Sequence, residues 1–109
     1  MAAMTITVLP LGPYQVNTYL LGCRETGLCA IIDPAGEPQQ IIDMLARQKA
    51  VAAMILNTHG HPDHMLANAA LKAAFDIPVW MHGEDSGLYA DSPEVDVLES
   101  QTGLTLDTW

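Results

Sequence analysis

Residues 5–9 alternate polar and apolar side chains, the period of a strand with one buried face, and Pro10, Gly12 and Pro13 close the run. A second run over 17–21 leads to Glu25, Thr26 and Gly27, turn chemistry that sends the chain back into 29–32, so an antiparallel hairpin is expected. Asp33-Pro34 ends the third strand. Pro38 then suits the first turn of a helix in which Ile41, Ile42, Leu45 and Ala46 recur at helical spacing, with Arg47 and Lys49 near its C-terminal end, where cations oppose the dipole. Residues 52–56 form a short apolar strand and 57–62 interrupt it. A second helix, rich in Ala and Leu, is predicted over roughly 63–75 with Ala67, Leu71 and Phe75 on one face, and a last strand over 77–81. Strand and helix alternating behind a hairpin is the order of α/β layering with crossover connections. Beyond His82 the residues turn acidic and 91–109 show no sustained period, so a loosely specified tail is expected there.

A length of 109 residues, half of them hydrophobic, suits one domain with its own core, here 1–109. Thirteen acidic residues against four basic ones give a net charge of -9, which repels nucleic-acid phosphates and anionic lipid and excludes non-specific binding to either. The longest wholly apolar run, 50–56, falls far short of the roughly 18 residues that span a bilayer. The first twelve residues carry no Lys or Arg, so the expected location is the cytoplasm. Cys23 and Cys29 flank the hairpin turn and are expected to be reduced thiols. Met4, Met44, Met54, Met65 and Met81 are most simply core or helix-face residues.

Three of the four histidines fall in one stretch of six residues, His59-Gly60-His61-Pro62-Asp63-His64, together with a carboxylate. In extended chain His59 and His61, two apart, point to the same side and can offer both imidazoles to one ion. Asp63 and His64 enter a helical turn, where adjacent side chains diverge toward a second position. The spacing therefore suits two neighbouring divalent metals, zinc by ligand type, with iron and manganese also open. A metal lowers the pKa of its water to about 7, which makes such a site hydrolytic machinery. Gly60 leaves the loop free to turn, while Asn57 and Thr58 are placed to brace it. Ordinary capping would explain Asp63 but not three clustered histidines.

This segment resembles the His-x-His-x-Asp-His motif of the metallo-β-lactamase superfamily, and more closely its glyoxalase II-like hydrolases. Leu11-Gly12-Pro13, Gln15-Val16-Asn17-Thr18-Tyr19, Ala30-Ile31-Ile32-Asp33-Pro34, Asn57-Thr58-His59-Gly60-His61 and Asn68-Ala69-Ala70-Leu71 follow in the order expected of relatives over 5–90. The resemblance implies the N-terminal half of an αβ/βα sandwich, with a mixed sheet and helices on one face. It assigns His59 and His61 to a first metal and Asp63 and His64 to a second, with Asp63 also the catalytic carboxylate. Asp33 would support the metal loop from behind, as Thr58 would beside it, although an Asp-Pro turn explains Asp33 equally well. The implied reaction is hydrolysis of a small thioester or ester, S-lactoylglutathione being one example. Tyr14 and the Gly12-Pro13 loop either face substrate or pack locally, so no substrate-binding residue is assigned. His82 reads as a surface histidine.

The pattern departs from the family in two places. Relatives run to about twice this length and supply further His and Asp ligands from a second half, so the chain is expected to be truncated, with an exposed sheet face that seeks a copy of itself or a missing C-terminal half. The alternative reading is thus a non-catalytic metal-binding module. Leu66-Ala67 also stands where relatives often have a glycine pair, which is expected to narrow the space above the site.

Overall fold

The structure, a computed structural model, describes residues 4–58 and 65–80. In chain order they form β1 (Met4–Leu11), β2 (Val16–Cys23), β3 (Leu28–Ile32), α1 (Pro38–Arg47), β4 (Val51–Leu56), α2 (Asn68–Phe75) and β5 (Val79–Trp80). The strands make one sheet in sequential order, antiparallel from β1 to β3 and parallel from β3 to β5. The expected mixed α/β sheet with helices on one face is borne out. A tight turn suffices between antiparallel neighbours, whereas the parallel pairs need crossovers, which α1 and α2 supply.

On the helix-bearing face Leu11, Leu20, Cys29, Ile31 and Ile55 meet Ile41 and Leu45 of α1 and Leu71 of α2 in one buried cluster. The opposite face carries rows of apolar residues that run across the strands. Ile6, Leu21, Ala30 and Met54 form one, and Val8, Tyr19, Ile32, Leu56 and Trp80 the next. Among the described residues nothing covers this face, and Met4, Ile6, Val8, Tyr19 and Trp80 are exposed.

Several expected boundaries shift for identifiable reasons. β1 runs on through Pro10, which an edge strand tolerates because its outer side needs no amide donor. α2 begins at Asn68 rather than near 63, because the Ala67 amide is given to the Pro34 carbonyl (3.0 Å) and a tight turn joins Asn68 N–H to Met65 O (3.0 Å). Ala46 is exposed, not on the buried face of α1, and Met4 is exposed rather than core. Cys29 pairs with Gly22 across β2 and β3, so Cys23, one residue further, points to the other side of the sheet, and the two are free thiols. Burial pushes the Cys29 thiol pKa up, while hydrogen bonds from Thr26 lower that of Cys23. The tail expected at 91–109, Met81 and His82 lie outside the described residues. Among those described, no helix is long and apolar enough to cross a membrane.

Candidate metal centre

Parallel pairing of β3 and β4 brings their C-terminal ends side by side, so Asp33 emerges next to Asn57 and Thr58. The Asp33 carboxylate is buried and grips Thr58 twice. Thr58 N–H donates to Oδ1 (2.7 Å) and Thr58 Oγ1–H to Oδ2 (2.6 Å). Two bonds between the same pair of residues fix Thr58 in both position and direction at the sheet end. Asp33 adopts a left-handed backbone (φ 53°), a region that Asp tolerates better than most residues. Its amide donates to Leu56 O (2.9 Å), tying the bend to β4.

Thr18 holds the same bend from β2. Its hydroxyl donates to the Asp33 carbonyl (2.8 Å) and accepts from the Ala35 amide (3.2 Å), wholly buried. The 33–37 loop is in turn locked to the β1–β2 loop. Glu37 accepts from Gly12 N–H (2.7 Å), and a side chain on Gly12, itself at φ +77°, would strike the Ala35 carbonyl at 2.6 Å. Gly12 is thus required by close backbone approach.

The segment that carries the histidines leaves this scaffold at Thr58 and returns at Met65. Its base is closed by one side-chain and one backbone bond: buried Asn68 donates Nδ2–H to Asn57 Oδ1 (2.8 Å), and Ala67 N–H donates to Pro34 O. Asn68 Oδ1 is buried and has no hydrogen-bond partner among the described residues. An unpaired buried acceptor costs about 1–3 kcal/mol. Met65, Leu66 and Ala67 are buried at the return point.

The expected ligands His59, His61, Asp63 and His64 lie outside the described residues, within which no cluster of three or more potential metal ligands occurs. Asp33 and Thr58 are described, and the structure brings them into direct contact. Sequence reasoning placed Asn57 as a brace of the loop but missed its partner Asn68 and the role of Thr18. Thr18 had a usable signal, a hydroxyl on the strand face shared with Leu20 and therefore in need of buried partners.

Comparison with known proteins agrees with this geometry. Residues 11–104 match the family profile described as the metallo-beta-lactamase superfamily. Hydroxyacylglutathione hydrolase GloC of Haemophilus influenzae is 35% identical over 92 residues, which cover 84% of this chain and 43% of that protein. Among solved structures, the B3 metallo-beta-lactamase BLEG-1 superposes with a TM-score of 0.76 at 32% identity, over 95% of this chain and 49% of the other. A protein solved in a di-iron-bound form, TTHA1623, gives a TM-score of 0.73 at 33% identity, over 94% and 49%. The chain thus spans about half or less of the length of the proteins it matches.

Proposed function

The chain belongs to the metallo-beta-lactamase superfamily, and from that premise we propose that it carries the metal-binding half of a glyoxalase II-like hydrolase acting on a small thioester or ester. The observation that carries the reading is the clamp around the histidine segment. Asp33 holds its start at Thr58, and the Asn57–Asn68 bond joins its two ends. Three imidazoles and a carboxylate between these anchors are donors suited to zinc or iron, so the residues fit a divalent metal. In this proposal His59, His61, Asp63 and His64 hold two ions, most simply zinc. Such ions would supply Lewis acidity, polarising a carbonyl and acidifying water. Asp33 and Thr58 act through the loop backbone, fixing the direction from which His59 and His61 reach the metal. Asp63 is also assigned as the catalytic carboxylate in this proposal. The likeness to a hydroxyacylglutathione hydrolase supports a thioester substrate, and two free thiols suit a reducing cytoplasm.

The uncovered sheet face supports a second reading, in which the chain binds metal without turnover until a second half or another copy covers that face. One experiment separates the two. The full chain is loaded with zinc and thiol release from a thioester is followed, with sedimentation of the same sample. Turnover that disappears in His61→Ala supports the hydrolase. Bound zinc without turnover supports the module, and sedimentation as a dimer that Ile6→Lys dissociates identifies self-association. Absence of both zinc and turnover contradicts the proposal.

A further inference from the structure

We propose that a cavity at the other end of the sheet, between the β2–β3 turn and the C-terminal end of α1, binds a small organic anion bearing a phosphate or carboxylate group. The cavity measures about 550 Å³, within the range of small-molecule sites. Thr5 and Thr7 of β1 form one wall, Arg24 of the turn a second, and Gln48 and Lys49 a third. It opens at the N-terminal ends of β3 and β4, whereas Asp33 and Thr58 follow their C-terminal ends, so the inference does not depend on the hydrolase reading.

Charge is the first argument. The chain holds thirteen acidic residues and four basic ones, yet two of the four basic residues line this cavity and no carboxylate does. Among the described residues neither Arg24 nor Lys49 has an ion-pair partner. A cationic recess in a strongly acidic protein concentrates anions locally against the overall field. The polar atoms around it suit oxygen anions. Gln48 Nε2–H donates to Thr7 Oγ1 (2.6 Å), which leaves the Thr7 hydroxyl proton to be given elsewhere.

Backbone conformation is the second argument. α1 ends with Lys49 N–H on Ala46 O (3.1 Å) and Ala50 N–H on Leu45 O (2.9 Å), the closing pattern whose left-handed residue is usually glycine. Lys49 occupies that position at φ 53°. A long cation is thus held where glycine would relieve the backbone; its charge opposes the negative end of the α1 dipole and also lines the cavity. The backbone of the turn is also held before any ligand arrives. Gly27 N–H bonds to Cys23 O (2.8 Å), and Val51 N–H bonds to Gly27 O (2.7 Å). Gly22 keeps the floor open, since a side chain there would meet Thr5 Oγ1 at 2.6 Å.

The test is a titration of the 15N-labelled full chain with inorganic phosphate at constant ionic strength, with acetate in a parallel arm to tell phosphate from carboxylate recognition. Saturable amide shifts confined to Thr5, Thr7, Gly22, Gly27 and Lys49 are expected with at least one of the two anions. Arg24→Gln should weaken the affinity at least tenfold. Lys49→Gly should weaken it similarly while raising the thermal midpoint, because glycine relieves the left-handed backbone. Lys49→Arg should retain binding. The proposal is overturned if shifts scatter without saturation, if the variants titrate like the parent, or if Lys49→Gly loses binding only together with a lowered midpoint.

Discussion

On the helix-bearing face of the sheet, Leu20, Ile31 and Ile55 have no solvent contact, whereas on the opposite face Ile6, Val8 and Tyr19 keep 68%, 47% and 37% exposure. The two sets lie in neighbouring or identical strands and have similar chemistry. Their difference is what lies above them. β3 (LCAII) and β4 (VAAMIL) are apolar on both faces, as strands are when layers cover both sides of a sheet. The described residues supply one layer. Among the described residues the opposite face stays bare, so their stability should come almost wholly from the covered side.

That asymmetry can be broken or sharpened by mutation. Ile31→Ala on the covered face should cost about 2–5 kcal/mol, the usual range for such a truncation in a packed core. Ile6→Ala should cost less than about 1 kcal/mol, since an exposed side chain loses little on truncation. Urea unfolding of both variants decides the matter, and equal losses would mean that the bare face is covered in solution. Asp33→Ala should come next, at about 1–3 kcal/mol, because it removes the acceptor of both Thr58 bonds at the sheet end. The same variant should lower zinc affinity at least tenfold in a competition titration, with Asp33→Asn milder on both counts. Thr18→Val should cost about 1–2 kcal/mol by leaving the Asp33 carbonyl and the Ala35 amide unpaired.

The smallest effect concerns the thiols, which sample the two faces directly. Hydrogen bonds from Thr26 lower the Cys23 pKa, so its thiolate persists to lower pH than usual, whereas burial raises that of Cys29. Iodoacetamide should modify Cys23 first at every pH. Reaction at Cys29 should begin only above the usual thiol range or on unfolding, and mass spectrometry of the peptides reads the order.

Much of this was legible in the sequence because periodicity reports burial directly. The alternation in β1 and the spacing of Ile41 and Leu45 gave the right elements and the right faces. The start of α2 was not legible, since it depends on the Ala67 amide finding Pro34, a contact thirty-three residues away in sequence that no local pattern encodes. Around the candidate site, Asp33 and Thr58 were visible as residue types beside a motif. Their mutual hydrogen bonds follow from parallel pairing of β3 and β4, which is a property of topology. Thr18 and Asn68 were visible only as members of family-like segments, and their roles were not, because a buried polar residue announces itself only once its face is known.

The most direct test of the central claim is zinc-edge X-ray absorption on the full chain beside the His59→Ala/His61→Ala variant, with circular dichroism to verify that both are folded. Imidazole scattering around zinc is expected in the parent chain, and its loss, together with the bound zinc, in the folded variant. An unchanged zinc content and an unchanged scattering shell in that variant would contradict the claim.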